Sequence, residues 1–322
     1  MSLHIEDLTV HYQTLSGEVE VLDEVSLNVP DGEILGIAGE SGCGKTTLVN
    51  ALIRLVPPMK IIGGKVELDG VQLPVGNFEA MNKHRLKDLA IIPQYAMSAM
   101  NPTRKIGRMI SELMEARGVN VKKAMDDLNT RLDLVNLSRD VLTMYPIELS
   151  GGMKQRMVMV LSTLLNPSLL IADEITSALD VSTQKAVAEM LVGFRDREFV
   201  KSIIFISHDV SILYQVADTI LIMYAGQLAE KASTRTIISN PKHPYTKMLI
   251  GSLPKVGVKY ENKKLQGIPG SPPLLINPPV GCRFRDRCPL AFEKCVETPP
   301  FREVEPGRSV ACWKVMEDYG QG

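Results

Sequence analysis

Two glycine-rich stretches carry residue types that suit phosphate chemistry. The first, GESGCGKTT at Gly39–Thr47, fits the pattern G-x-x-x-x-G-K-[ST]. In this pattern backbone N–H groups surround the phosphates, a lysine reaches the β- and γ-phosphates, and a hydroxyl ligates Mg²⁺. Lys45 and Thr46 are predicted for the last two roles. The second stretch, LSGGMKQR at Leu149–Arg156, is typical of a helix start, where free N–H groups form an anion site.

Acidic and polar side chains follow three apolar segments farther along the chain. The segment LLIADE, residues 169–174, predicts a short strand ending in Asp173 and Glu174. One acid at such a place can hold Mg²⁺ or its water, and a second can position the attacking water. His208 follows SIIFIS and could donate to a γ-phosphate oxygen or serve a structural role. Gln94 follows LAIIP, and the pattern alone leaves a solvated strand-end amide equally possible.

The elements that position these residues alternate between strands and helices. A strand, a glycine loop and a helix surround the first motif, as a phosphate loop requires. Helical periodicity dominates from about residue 103 to 165, and strands alternate with helices afterwards. This order predicts an α/β fold with a parallel sheet covered on both faces. The predicted strands cover residues 3–12, 25–29, 33–39, a hairpin around 69–70, 169–172, 202–207 and 219–224, and the predicted helices begin near residues 45, 182 and 209.

Length and charge limit the possible classes of function. The 322 residues suit two domains, or one large domain with an appendage. The 36 Lys and Arg residues against 37 Asp and Glu residues leave a net charge of −1, which provides no global positive field for nucleic acid or anionic lipid. No run of 18 apolar residues occurs, and the first residues lack a signal-peptide pattern. We expect a soluble chain that reaches a membrane only through a protein partner.

The two motifs together resemble the ATP-binding subunits of ABC transporters, from Leu3 to about Lys231. The resemblance implies a P-loop ABC ATPase cassette with a parallel-sheet core, an N-terminal antiparallel β subdomain and a helical insert at about 103–165. It implies ATP and Mg²⁺ as ligands and ATP hydrolysis as the reaction. The cassette is predicted to occupy residues 1–253, and residues 254–322 to form a Pro-rich linker and a small C-terminal Cys-rich extension.

The resemblance also implies a role for each site residue. Tyr12 is expected to stack on adenine, Gln94 to contact Mg²⁺ and water, and His208 to contact the γ-phosphate. The residues implied to catalyse hydrolysis are Glu174, His208, Gln94 and Lys45. The residues implied to bind ATP or Mg²⁺ are Tyr12, Gly39, Ser41, Gly42, Gly44, Lys45, Thr46, Thr47, Gln94, Asp173, Ser150, Gly151 and Gly152, with Thr46, Gln94 and Asp173 on the metal. Ile175 replaces a proline common in the family, which puts the rigidity of the turn after Glu174 in doubt.

Cassettes of this family pair head to tail. The resemblance therefore implies that Ser150, Gly151 and Gly152 contact ATP held by the phosphate loop of a second subunit, with Asp180 at the dimer interface. Closure around two ATP molecules and reopening after hydrolysis would move the membrane subunits.

A closer resemblance is to the dipeptide/oligopeptide importer branch. It depends on QYAMSAMNP at residues 94–102, on NPKHPYTKMLIGSLP at residues 240–254 and on the terminal cysteines. The branch implies a heterodimer with a second homologous ATPase, two transmembrane permease subunits and an extracytoplasmic substrate-binding protein. It implies a peripheral position on the cytoplasmic face of the cell membrane and no nucleic acid. Similar subunits serve oligosaccharides or nickel, so the cargo stays open.

Two other classes of protein share part of this pattern. A soluble ABC protein acting on nucleic acid or ribosomes normally has two cassettes or a long coiled-coil insert, and neither pattern is present. A metal-sensing regulator would use its cysteines as the active part and its cassette only to bind ATP.

Four of the five cysteines lie within the last 41 residues. Their spacing is compatible with two disulfides or with a tetrathiolate metal site, or it arises by chance. A reducing cytosol disfavours disulfides, and the lack of a C-x2-C knuckle mildly disfavours zinc, which leaves zinc and iron–sulfur open. The importer-branch resemblance implies a [4Fe-4S] cluster, with Zn²⁺ as the alternative. The predicted ligands are Cys282, Cys288, Cys295 and Cys312, and the arginines that could offset the cluster's charge, or form a solvated loop, are Arg283, Arg285 and Arg287.

Overall fold

The computed structural model describes residues 3–15, 17–94, 96, 99–177, 179–253 and 267–320. The strands in this part of the chain are β1 (Leu3–Thr14), β2 (Gly17–Val29), β3 (Ile34–Ala38), β4 (Met59–Leu68), β5 (Val71–Gln72), β6 (Leu89–Ile92), β7 (Leu169–Asp173), β8 (Ser202–Ile206), β9 (Thr219–Tyr224), β10 (Gln227–Ser233), β11 (Arg302–Glu305) and β12 (Arg308–Val310). The α-helices are α1 (Lys45–Ile53), α2 (Ile106–Ala116), α3 (Val121–Leu134), α4 (Gly151–Thr163), α5 (Val181–Asp196), α6 (Val210–Val216), α7 (Thr234–Ser239), α8 (Pro244–Gly251) and α9 (Trp313–Asp318).

The strands form two sheets. The first is antiparallel, in the order β2-β1-β4-β5, and the second has the order β11-β12-β10-β9-β3-β8-β7-β6. The neighbours from β9 to β6 are parallel, whereas β10, β12 and β11 extend the sheet in antiparallel fashion. The predicted α/β fold, with its parallel core and N-terminal antiparallel sheet, is confirmed. The second strand is longer than predicted, and β10 to β12 were not predicted at all.

The strands of the core sheet carry apolar side chains on both faces. Both faces are therefore covered, which removes these side chains from water. Successive side chains of a strand point to opposite faces. Ile34 and Ala38 of β3 therefore belong to one buried cluster with residues of α4, α5 and α6, while Leu35 and Ile37 belong to a second cluster with the antiparallel sheet and α1. Near-continuous runs of Ile, Leu and Val are typical of such doubly covered parallel strands.

The helical insert consists of α2, α3 and α4, and lies within the predicted range. Arg131 of α3 is 1% exposed, and its guanidinium connects the insert to the sheet domain. It donates to the carbonyl oxygen of Thr163 at 3.1 Å and to Oδ1 of Asn166 at 2.5 Å, and it stacks 4.1 Å from the ring centroid of Phe199. These contacts hold α3 against the carboxyl end of α4. The amino end of α4 is exposed.

The C-terminal extension continues the core sheet. Strand β12 pairs with β10, and Nη2 of Arg308 donates to Oε1 of Glu230 at 2.7 Å with both side chains buried. The Glu230 carboxylate also accepts from the backbone N–H groups of Lys242 and His243. The described residues stop at the predicted boundary, since residues 254–266 at the start of the Pro-rich linker lie outside them, so the domain boundary stays a prediction.

His243 is the N-cap residue of α8 and packs against this extension. It is buried, so solvent cannot stabilise a charge on its ring. Its Nδ1 accepts from the N–H of Tyr245 at 3.1 Å, and its ring centroid lies 6.1 Å from that of Phe284. Burial lowers the pKa of His243 to about 4, although a hydrogen bond with the backbone of Ala311 acts in the opposite direction.

Titration of His243 should therefore make the free energy of unfolding vary with pH. In the unfolded chain its pKa is about 6.5, so its contribution to stability is complete above that pH and is lost as the pH falls towards 4. His243→Asn keeps a capping side chain without this titration. From pH 7.5 to 5.5 we expect the unfolding free energy of the wild type to fall by about 1 kcal/mol more than that of the variant, as measured by urea denaturation. His4→Asn, at an exposed position, serves as the control, and an equal pH dependence in His243→Asn and wild type would contradict the prediction.

Candidate functional site

The phosphate loop, residues 39–44, connects β3 to α1, and two of its glycines are required by geometry. Gly39 has a φ of +153°, and a Cβ there would lie 2.2 Å from the carbonyl oxygen of Met223. Gly44 has a φ of +103° and precedes α1, and a Cβ there would lie 3.0 Å from the side chain of Leu22. Only glycine fits such positions, which lets the loop turn tightly over the end of the sheet.

Lys45 and the start of α1 provide the positive end of the site. The lysine is 5% exposed, and its Nζ donates to the carbonyl oxygens of Gly39 at 2.9 Å and Glu40 at 3.1 Å. The N–H groups in the first turn of a helix have no intrahelical acceptor. The loop thus combines free N–H groups, a helix N-terminus and an ammonium group, which together form an anion site. Tyr12 of β1 lies beside it, with its hydroxyl 3.0 Å from Oγ1 of Thr47.

Thr46 and Asp173 fit a magnesium ion. Oγ1 of Thr46 donates to Oδ1 of Asp173 at 3.3 Å, so the hydroxyl of the loop meets the carboxylate at the end of β7. Burial, followed by the neighbouring charge of Glu174, raises the pKa of Asp173 to about 6. The ionised carboxylate is therefore short of compensating positive charge. Hydroxyl and carboxylate oxygens are ligands that Mg²⁺ prefers, and its charge would supply that compensation.

Glu174 and Gln94 meet at the same edge of the sheet. Nε2 of Gln94 donates to Oε2 of Glu174 at 3.1 Å. Glu174 has a φ of +48°, in the left-handed region, and its N–H donates to the carbonyl oxygen of Ile206 at 3.1 Å. His208 is exposed just beyond the end of β8. The carboxyl ends of β3, β6, β7 and β8 thus bring the predicted loop, amide, acids and imidazole to one edge.

Two glutamines hold the turn after Glu174, where Ile175 replaces proline. Nε2 of Gln155 donates to the carbonyl oxygen of Ile175 at 2.5 Å, and Nε2 of Gln184 donates to that of Thr176 at 3.0 Å. Gln155 is 4% exposed and belongs to the helix that begins with the second motif. Side-chain amides therefore restrain this turn. Sequence reasoning missed both residues, and the only available signal was the position of Gln155 inside LSGGMKQR.

The second motif forms the start of α4, as predicted. Ser150 is the N-cap, and its Oγ accepts from the N–H of Met153 at 3.3 Å. Gly151 and Gly152 precede that capped group, so their N–H groups remain for an external anion. No hydrogen bond among the described residues joins this segment to the phosphate loop of the same chain.

Asp180 is the N-cap of α5, and Ala178 in the same SALD segment lies outside the described residues. Hydrogen bonds from Ser182 and Thr183 hold the pKa of Asp180 well below its usual range. The carboxylate therefore remains charged. In QYAMSAMNP, residues 95, 97 and 98 also lie outside the described part of the chain.

The prediction of a [4Fe-4S] or zinc centre at the terminal cysteines is wrong. Among the described residues, no group of three or more His, Cys, Asp or Glu side chains is placed to hold a metal ion. The cysteines are free, and burial raises the pKa of the Cys282 thiol to about 12. They line a small cavity together with the rings of Phe284 and Trp313. The predicted ligands that line this cavity are Cys282, Cys288, Cys295 and Cys312.

The arginines near these cysteines pair with carboxylates. Arg283 and Arg287 are largely buried, so the solvated basic loop is not present there. The partners are Glu20 and Asp23 for Arg283, Asp286 for Arg285, and Glu40 for Arg287. The predicted role of offsetting a cluster's charge is therefore not needed.

Within the described ranges, no helix has both the length and the apolar composition needed to cross a bilayer.

Comparison with known proteins identifies the chain. Residues 22–177 match the family model described as ABC transporter, and residues 229–295 match the model described as oligopeptide/dipeptide transporter, C-terminal region. Among solved structures, a dimeric ABC transporter cassette, MJ0796, superimposes with a TM-score of 0.62 at 22% identity and covers 72% of this chain and 99% of its own. This similarity supports the fold.

Two curated relatives extend over nearly the whole chain. The dipeptide transport ATP-binding protein DppD of Caldanaerobacter subterraneus subsp. tengcongensis is 38% identical, covering 96% of both chains. The oligopeptide transport ATP-binding protein OppD of Escherichia coli is 36% identical, covering 98% of this chain and 94% of its own. By identity and coverage, the chain belongs to the ABC transporter family, in its dipeptide and oligopeptide transport ATP-binding branch, and is an ATP hydrolase.

Proposed function

We propose that this chain hydrolyses ATP to power the import of dipeptides or oligopeptides. The observation that carries the proposal is the position of the Gln94–Glu174 pair at the same sheet edge as the phosphate loop, Thr46 and Asp173. A nucleophile-orienting acid beside an anion site is the arrangement that phosphoryl transfer to water needs.

The residues of one chain supply most of a hydrolytic site. The phosphate-loop N–H groups and Lys45 bind the β- and γ-phosphates, and Tyr12 stacks on adenine. Thr46, Asp173 and Gln94 would hold Mg²⁺, which would shield phosphate charge. The remaining proposed phosphate contacts are Gly39, Ser41, Gly42, Gly44 and Thr47.

Glu174 orients the attacking water. Its carboxylate, held by Gln94 at 3.1 Å, accepts a proton from the water as the new bond to the γ-phosphorus forms. The bond to the bridging oxygen breaks, which yields ADP and phosphate. His208 donates to a γ-phosphate oxygen and stabilises the charge on that group.

The site is completed by a second subunit. Ser150, Gly151 and Gly152 start α4, where free N–H groups suit an anion, yet the described chain offers no hydrogen bond between them and its own phosphate loop. We infer that they contact ATP on a second, homologous ATPase in a heterodimer, with Asp180 at the interface. Each complex then has two composite sites, and ATP-driven closure provides the mechanical step.

Similarity to the transport relatives supports the rest of the proposed assembly. It comprises two transmembrane permease subunits and an extracytoplasmic substrate-binding protein, with this chain peripheral on the cytoplasmic face of the cell membrane. The cassette is assigned to residues 1–253, with its helical part at about 103–165, and the extension to residues 254–322. Uptake assays in vesicles containing the purified complex, with labelled dipeptide, oligopeptide, oligosaccharide and Ni²⁺, decide the cargo. Uptake of sugar or nickel but no peptide would contradict the proposal.

Glu174→Gln should stop hydrolysis without preventing ATP binding. The amide preserves shape but cannot accept the water's proton, so ATPase activity is expected to fall about 100-fold or more. The dissociation constant for MgATP, measured by calorimetry, should stay within about threefold of the wild-type value because Glu174 does not contact the phosphates in this mechanism. Glu189→Gln on the exposed side of α5 is the matched control. Retention of more than a tenth of wild-type ATPase activity would exclude the proposed role.

Ser150→Glu should separate the two half-sites. A carboxylate at the start of α4 would repel the γ-phosphate of ATP on the other subunit, so the ATPase activity of the complex is expected to fall at least tenfold. Binding of an ATP analogue to the isolated chain should not change, because its own phosphate loop is intact. Ser138→Glu, at another exposed helix start in the insert, should leave both values unchanged. Equal loss of binding in the isolated Ser150→Glu chain would show that the motif serves its own site.

A further inference from the structure

Glu40, the second residue of the phosphate loop, has all of its polar groups in contacts that restrain the loop. Its N–H donates to the hydroxyl of Tyr245 at 2.9 Å. Its carbonyl oxygen accepts from Nζ of Lys45 at 3.1 Å and from the N–H of Cys43 at 3.3 Å. Its carboxylate binds Arg287, which lies in the C-terminal extension. Glu40 is therefore a point at which the extension contacts the nucleotide loop.

The contact between Arg287 and Glu40 is bidentate. Nη1 donates to Oε2 at 2.7 Å and Nη2 donates to Oε1 at 3.1 Å. Nη1 also donates to the hydroxyl of Tyr224 at 3.1 Å, and Nε donates to the carbonyl oxygen of Pro269 at 2.8 Å. The arginine side chain is 6% exposed, so solvent screens this pair weakly. A guanidinium that forms two parallel hydrogen bonds with a carboxylate fixes the orientation of that carboxylate and also neutralises its charge.

An aromatic cluster supports the same contact. The ring centroids of Tyr224 and Tyr245 lie 4.6 Å apart, and that of Phe284 lies 5.1 Å from Tyr224 and 5.4 Å from Tyr245. Tyr245 is fully buried, and its hydroxyl finds its partner in the loop backbone. The loop, α8 and the extension are thus packed as one unit around Glu40.

The sign of the charges gives this contact a consequence for binding. Glu40 places a carboxylate in a loop that must accept a highly anionic triphosphate. Without a partner this carboxylate would repel the ligand. Arg287 offsets the charge on the side of the loop occupied by the extension.

We propose that Arg287 is a positioning residue for ATP binding: through its bidentate pair with Glu40, the C-terminal extension orients the phosphate loop and cancels a negative charge beside the triphosphate. The inference concerns nucleotide binding by this chain alone. It is independent of the cargo, the permease subunits and the second ATPase.

The test measures the affinity of the full-length chain for the magnesium complex of AMP-PNP by calorimetry. Arg287→Gln frees the Glu40 carboxylate, and we expect binding to weaken by roughly tenfold. Arg285→Gln is the matched control, because Arg285 lies in the same short helical turn but pairs with the adjacent Asp286, and its affinity should stay at the wild-type value.

The double variant distinguishes positioning from simple loss of structure. Adding Glu40→Gln to Arg287→Gln removes the repelling charge and leaves two amides able to bond, so affinity should return to within about threefold of the wild-type value. A purely structural role for Arg287 would leave the double variant as weak as the single one, and that result overturns the proposal. Binding by Arg287→Gln within twofold of wild type overturns it as well.

A conservative variant covers the case in which Arg287→Gln does not fold. Arg287→Lys keeps the charge but cannot form the two-bond contact, so we expect binding weaker by about threefold with an unchanged thermal unfolding midpoint. Wild-type affinity in Arg287→Lys contradicts the orienting role.

Discussion

Parallel pairing of β3, β8, β7 and β6 is the constraint on which the site depends. The carboxyl ends of parallel strands meet at one edge of a sheet, so residues distant in sequence arrive together there. The phosphate loop follows β3, while Gln94, Glu174 and His208 follow the other three strands. Buried apolar side chains on both faces hold these strands in register. A shift of one strand would therefore displace a side chain of the candidate site and not only a packing contact.

Electrostatics at this edge are arranged for a ligand that brings both phosphates and a cation. Lys45 donates to carbonyl oxygens of its own loop, and burial together with Glu174 raises the pKa of Asp173. Phosphate oxygens would replace the carbonyl partners of Lys45, and Mg²⁺ would supply positive charge beside Asp173. Both contacts join opposite charges and are therefore stronger than the present ones. Glu174, at the same edge, has a left-handed backbone conformation that is fixed by a hydrogen bond from its N–H to β8.

The C-terminal extension belongs to the same structural unit as the site. Strand β12 adds to β10, and the buried Arg308–Glu230 pair fastens the two. The four terminal cysteines are free thiols, of which Cys295 is buried and the other three are partly buried, and the inference of a metal centre from their number and from a family resemblance is wrong. Spacing along the chain can show that cysteines cluster, but the direction of each side chain and the state of each thiol depend on packing.

The sequence alone determined the local features of this protein. The phosphate loop, the start of α4 and the acids at the end of β7 each consist of residues that are close together in the sequence, such as Ser150 and the N–H group of Met153 that it caps, so a short pattern suffices. Only the tertiary structure decided that Gln155 restrains Ile175 and that Arg287 pairs with Glu40. Glutamine and arginine occur throughout the chain, and spacing carries no information about which distant partner each one meets. These long-range pairs exist because folding brings their elements together, and the pairing partner is therefore a property of the packed molecule.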